Sequence, residues 1–168
     1  MTLERIWAGW RNDYVSGVAN VVPVPGECVF CAVLNEPEAT DRERLVVHRG
    51  SQVIAMLNLY PYGSGHMLVM PIRHVAALSD LTAAERAEMF DVVTDATTAL
   101  QAAYGPDGMN IGANLGRAAG AGIPGHLHLH ALPRWSGDTN FMTAIAELRV
   151  IPEDLGTTYD KISTAWPQ

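Results

Sequence analysis

The sequence predicts an α+β domain in which one long helix packs on a mainly antiparallel five-stranded sheet. Five short segments, 45–48, 52–58, 66–71, 109–114 and 126–132, are apolar or alternating and are bounded by turn residues. The loops joining the first three are too short for crossover helices, so those strands must run antiparallel. A single stretch after residue 82 carries helical periodicity instead.

In chain order, 45–48 and 52–58 form a hairpin about Arg49-Gly50-Ser51, and Pro61-Tyr62-Gly63-Ser64-Gly65 is a loop leading into the buried strand 66–71. Thr82 and Glu85 have capping-box spacing, in which each side chain satisfies an orphan backbone donor. Met89, Val92, Val93, Ala96, Leu100 and Ala103 then recur on one helical face until Gly105-Pro106 stops the element. The strand 109–114 is followed by a Gly-rich loop from Gly116 to Gly125, and 126–132 is the last strand. Residues 1–27 read as an ordered arm, because Trp7, Trp10 and Tyr14 are costly to leave exposed.

A chain of 168 residues, 48% of them apolar, is about one domain with a real core. Its net charge of −7 and the lack of a basic block exclude a duplex nucleic-acid binder. A mononucleotide remains an acceptable ligand, since backbone N–H groups can build a small anion site. No apolar run reaches membrane-span length, and the charged N-terminus (Glu4, Arg5, Arg11, Asp13) lacks the core of a signal peptide. The expected location is cytoplasmic, where Cys28-Val29-Phe30-Cys31 points to metal binding or redox work over a structural disulfide.

The densest chemistry lies in Gly125-His126-Leu127-His128-Leu129-His130-Ala131-Leu132. Alternation along a strand puts His126, His128 and His130 on one face, with neighbours roughly 7 Å apart. Three imidazoles in a row make poor core filler, since each needs hydrogen-bond partners when buried; a metal site or an accidental polar edge are the alternatives. The middle one suits nucleophilic attack on phosphorus, provided its other nitrogen is held as a donor by a flanking histidine or a backbone carbonyl. Gly120-Ala121-Gly122-Ile123-Pro124-Gly125 can bring backbone N–H groups close to phosphate oxygens.

The histidine–apolar–histidine–apolar–histidine–apolar–apolar pattern resembles the signature of the histidine triad (HIT) superfamily. Trp7-Ala8-Gly9-Trp10-Arg11, the C-x-x-C, Leu57-Asn58-Leu59-Tyr60-Pro61-Tyr62 with Gly65-His66, and Pro133 to Met142 extend the resemblance to a bacterial and archaeal branch. That branch is similar to diadenosine tetraphosphate (Ap4A) phosphorylases and hydrolases. The resemblance implies a HIT-like fold with additional short helices. It also implies a single domain over 1–168, comprising the arm 1–27, a HIT core 28–135 and a C-terminal extension 136–168.

The same resemblance assigns roles. His128 would be the nucleophile, with His126 and His130 orienting it and binding phosphate, and His66 orienting His128 or a neighbour. Asn58 falls at a ribose-binding position, although a turn residue is its plainer role. Asn114 and Gly120, Ala121, Gly122 and Ile123 fall where phosphate is bound. Trp135 could stack on a base, and Arg117 or Arg134 could reach along a polyphosphate. Some HIT proteins hold structural zinc at positions matching Cys28, Cys31, His74 and His126, a donor set of tetrahedral type; His48 has no such counterpart.

The implied activity is cleavage of a dinucleoside polyphosphate through a nucleotidyl-histidine, resolved by inorganic phosphate or by water. A nucleoside phosphoramidase and a non-catalytic nucleotide-binding regulator remain open. The resemblance further implies a homodimer, or a higher homo-oligomer if the arm adds contacts, with neither duplex nucleic acid nor a membrane as partner.

Overall fold

Residues 53–57 and 67–71 read as unbroken apolar runs because both faces of these strands are covered. In the computed structural model, which describes residues 27–37, 39–138 and 152–168, they are β2 (Val53–Leu57) and β3 (Met67–Pro71), and every residue in them is buried. With β1 (Val46–Arg49), β4 (Gly108–Gly112) and β5 (Leu129–Arg134) they form a sheet in the order β1-β2-β3-β5-β4, antiparallel throughout. The aromatic arm, Asn140, Phe141 and Met142 lie outside the described residues.

Alternation divides the apolar residues between two faces. Val53, Ala55, Leu57, Met67, Val69, Leu127 and Ala131 meet Met89, Val92, Val93, Ala96 and Leu100 of the long helix α2 (Ala83–Tyr104). Ile54, Met56, Leu68 and Met70 face the other way, against Phe30 of α1 (Val29–Asn35). A third helix, α3 (Leu155–Ala165), adds Ile162 to the first core and reaches β1 through Tyr159, whose hydroxyl donates to the Val46 carbonyl at 3.2 Å. Periodicity did not locate α1 or α3. The first is only seven residues long, with Cys28 at its N-cap and Cys31 within it.

The capping box is present: Thr82 accepts from the Glu85 N–H, and the Glu85 carboxylate accepts from the Thr82 N–H. Gly105 closes α2 in the left-handed conformation at φ 55°. The Glu85 carboxylate also receives Arg73 at 2.9 and 2.8 Å, which ties the chain beyond β3 to the start of α2. Arg73 first, and the Thr82 N–H next, hold the Glu85 carboxyl down to about 2 from 4.5. A depressed carboxyl contributes stability that is present above its unfolded value and is lost as pH falls through the folded one. Glu85→Gln is therefore expected to melt several degrees below the parent near neutral pH, with the gap closing as pH falls from 4.5 towards 2, checked by thermal melts across that range.

Every strand shifts by one to three residues at an end, with β4 spanning Gly108–Gly112 in place of 109–114, and two of these shifts have a clear physical reason. Leu45 lies in the left-handed region at φ 61°, ending a turn in which the Val46 N–H bonds the Asp41 carbonyl, so β1 starts one residue later than expected. The predicted last strand 126–132 becomes regular only at Leu129. Its neighbour β3 ends at Pro71, which has no N–H to continue a ladder, and Leu127 bonds the Val75 carbonyl instead at 2.7 Å.

Candidate functional site

Although residues 126–128 precede the ladder, the alternation survives. Leu127 and Ala131 join the α2 core, while His126, His128 and His130 turn to the α1 side of the sheet. His126 and His128 are buried, and His130 is half-buried opposite Leu68 of β3. The His128 and His130 rings are 5.0 Å apart.

Hydrogen bonds fix which nitrogen of each ring carries the proton. His128 Nδ1 lies 2.7 Å from the His126 carbonyl oxygen, which can only accept, so Nδ1 donates and Nε2 keeps its lone pair. A backbone carbonyl thus supplies the orienting acceptor that nucleophilic attack requires. The Tyr62 N–H donates to His66 Nδ1 at 3.0 Å, which makes His66 Nε2 the donor to His130 Nδ1 at 2.9 Å. His130 Nε2 therefore carries a proton; it is shielded from solvent and has no hydrogen-bond partner among the described residues. Burial, and then the charge of His128, lower the His130 pKa and favour the neutral ring.

His66 acts on His130, not on His128. It is placed by Gly65, whose φ of +75° suits glycine and whose missing Cβ would stand 3.0 Å from both Leu100 Cδ2 and Pro133 Cγ. Gly65→Ala is expected to cost about 2 kcal/mol through strain and overpacking. It should also impair activity by displacing His66; unchanged denaturant midpoint and turnover would contradict this.

Asn58 takes the turn role and also reaches His66. Its Oδ1 accepts from the Tyr60 N–H at 3.0 Å, as a turn residue would, and its amide nitrogen stands 3.3 Å from His66 Nδ1. Tyr62, missed from sequence, lies over His66 and His130 with ring centroids 4.6 and 5.8 Å away. Phe30, also missed, packs edge-on against His126 and His128. An aromatic in each motif, P-Y-G-S-G and C-V-F-C, was the available signal.

The loop after β4 is more committed than expected. Gly120 and Ala121 spend their N–H groups on the Arg117 and Gly116 carbonyls, so neither cradles a phosphate with its amide. The N–H groups of Gly122 and Ile123 meet no backbone acceptor among the described residues. Asn114 is two residues past Gly112, the register partner of His130 and the last residue of β4. Arg134 is occupied by Asp138 and Asn110, which leaves Arg117 as the exposed cation of the two. Trp135 packs edge-on against Tyr104.

A second cluster adjoins the first. The ligand atoms of Cys28, Cys31, His74 and His126 all lie within 4.8 Å of one another, a set that can hold a metal ion. Cys28 Sγ is 3.4 Å and Cys31 Sγ 3.7 Å from His126 Nδ1, and His74 Nδ1 is 3.4 Å from Cys31 Sγ. His126 Nε2 donates to the Pro71 carbonyl at 2.8 Å, the outer bond that usually orients a metal-binding histidine. Burial, then Cys28, push the Cys31 thiol up to about 11, which a divalent cation would reverse. Both ring nitrogens of His126 are thereby committed, which corrects the catalytic role expected for its side chain: it contributes its carbonyl to His128. His48 stacks on Trp166 and takes no part.

Comparison with known proteins fits this geometry. Residues 39–137 match the family model described as HIT domain. The chain is 41% identical over 166 residues to a Mycobacterium tuberculosis protein named AP-4-A phosphorylase, covering 98% of this chain and 85% of that one. It is 36% identical over 93 residues to the asymmetrical bis(5'-nucleosyl)-tetraphosphatase of Schizosaccharomyces pombe, covering 55% of this chain and 50% of that one. A zinc-bound histidine triad family protein from Mycobacterium smegmatis superposes with a TM-score of 0.66 at 28% identity, over 83% of this chain and 92% of that chain. The sheet, the oriented imidazoles and these matches together make the chain a member of the HIT family.

Proposed function

We propose that the protein cleaves dinucleoside polyphosphates of the Ap4A kind through a nucleotidyl-histidine on His128. The observation that carries this is the 2.7 Å bond from His128 Nδ1 to the His126 carbonyl, which leaves the Nε2 lone pair for attack. The likeness to a mycobacterial protein named AP-4-A phosphorylase supports the substrate class.

His128 Nε2 attacks the α-phosphorus: a P–N bond forms, and the P–O bond to the departing polyphosphate breaks. The imidazolium-like ring is stabilised by the carbonyl at Nδ1, and the neutral His130 offers its Nε2–H to a phosphoryl oxygen. An oxygen of phosphate or water then attacks the same phosphorus, the P–N bond breaks, and the lone pair returns to Nε2. The amides of Gly122 and Ile123 with Asn114 bind phosphate oxygens, and Asn58 Oδ1 keeps a lone pair for a ribose hydroxyl. Arg117 extends the positive reach along the phosphate chain.

The four-ligand cluster suits zinc: two thiols, two imidazoles and an outer hydrogen bond are the features of a closed structural site. Bound there, zinc supplies cross-linking and no chemistry on the substrate. Such thiols fit the reducing cytoplasm; no helix among the described residues is long and apolar enough to cross a membrane. A homodimer is supported by β4, a sheet edge unpaired among the described residues, which carries Ile111 and is followed by Leu115, each about half exposed. Sedimentation showing only monomer at micromolar concentration would exclude the dimer.

Incubation with Ap4A, with and without inorganic phosphate, followed by ion-exchange chromatography tests the activity. ADP plus ATP appearing only with phosphate establishes the phosphorylase, and AMP plus ATP without it establishes the hydrolase. No product in either condition overturns the proposal.

A further inference from the structure

We infer that Phe30 is a positioning residue for His128 and couples the four-ligand cluster to the nucleophile. The inference rests on His128 as the attacking group. Besides the His130 ring 5.0 Å away, two contacts hold the His128 ring, and both originate at the cluster. The Nδ1 proton goes to the carbonyl of His126, the residue whose own Nδ1 faces the two cysteine sulfurs. The Phe30 ring meets His128 at 5.3 Å and 66°, and meets His126 at 5.5 Å and 86°. Phe30 sits between Cys28 and Cys31 in the sequence, so the same turn of chain presents both sulfurs to the cluster and the aromatic ring to the nucleophile.

The helix that carries Phe30 needs this anchorage. At seven residues α1 is too short to be stable alone. No side chain caps it, and within it only Phe30 and Ala32 are buried. It also lies before residue 39, where the match to the HIT family model begins, so the sheet that defines the family does not include it. Two cysteines bound to a cation shared with His74 and His126 would clamp α1 against the strand. Phe30 would then be pressed into the space bordered by Ile54, Met56, Leu68 and Met70, where it limits rotation of the His128 ring. An edge-to-face aromatic contact restricts ring orientation in a way that an aliphatic side chain of similar size does not.

Phe30→Leu separates this role from core filling, because it keeps an apolar side chain in the buried site and removes the flat ring. The variant is expected to lose about 10–100-fold in kcat, the scale for a reacting group misplaced by about 1 Å. KM for Ap4A should stay within about twofold, since ground-state binding is untouched. Phe30→Tyr, which restores the ring, should recover most of the loss. Imidazole-nitrogen NMR of the protein without substrate should show the hydrogen-bonded Nδ1–H of His128 in the parent and in Phe30→Tyr. That signal should be broadened or absent in Phe30→Leu and in parent protein stripped of metal by a chelator.

Retention of both kcat and the Nδ1–H signal in Phe30→Leu would overturn the inference, as would an activity loss equal to the loss of folded protein. If Phe30→Leu does not fold, the chelated parent decides: an unchanged His128 signal rejects the coupling. Normal turnover in His128→Ala would reject the nucleophile and not the packing, because the NMR signal reports the hold on the ring independently of activity.

Discussion

His128→Ala is expected to lower turnover of Ap4A by about 10⁴–10⁶-fold, the range for removing a covalent nucleophile from an otherwise intact site. No other imidazole can take over. His126 spends Nε2 on the Pro71 carbonyl and turns Nδ1 to the cysteines. His66 receives the Tyr62 N–H on Nδ1 and donates from Nε2. His130 receives His66 on Nδ1, which leaves its Nε2 protonated. Of the four imidazoles at the site, only His128 keeps an Nε2 lone pair without a donor among the described residues. Intact-mass measurement after a rapid quench should find a nucleotidyl adduct on the parent and none on the variant, with circular dichroism confirming that both are folded. An adduct that survives in His128→Ala would place the nucleophile elsewhere.

Removing the cation, by a strong chelator or by Cys28→Ser with Cys31→Ser, should lower the melting temperature by about 8–16 °C. A ligand present at a thousandfold excess over its Kd adds about 4 kcal/mol to stability. For a chain of this size each kcal/mol moves the midpoint by about 2–4 °C. The effect is large because the ligands come from three separated stretches: Cys28 and Cys31 at α1, His74 beyond β3, and His126 before β5. Without the bridge α1 loses its main tether, whereas the core between the sheet and α2 contains none of these side chains. The chelated protein should therefore still unfold cooperatively, only earlier. Scanning calorimetry with metal analysis on the same sample checks this, and an unshifted midpoint after complete zinc loss would show that the cluster bears no load.

Much of this was legible because the relevant signals are local. The capping box needs only Thr82 and Glu85, and the period-two histidines need only the alternation of an extended chain. The ligand quartet was readable only through the family resemblance, since nothing local links His74 to Cys28. Tyr62 and Phe30 escaped because their roles arise from long-range packing against rings 68 and 98 residues further along, and aromatic residues beside glycines or cysteines have many ordinary uses. The loop amides escaped for the opposite reason. A run of glycine and alanine shows that a backbone can approach a phosphate, but not which N–H groups the loop has already used on itself, as Gly120 and Ala121 do.

The strand order has a kinetic consequence. β1, β2 and β3 pair with sequence neighbours, but β4 has no partner until β5 enters between it and β3. That insertion is the non-local step of the topology, the kind that loop closure makes slow. It is also the step that brings His130 to His66, a contact spanning 64 residues. A chain still emerging from the ribosome, or one partly unfolded, has His66 and His130 but not the proton order between them. The hold of His66 on His130 thus forms only with the completed sheet, whereas the bond that orients His128 spans two residues.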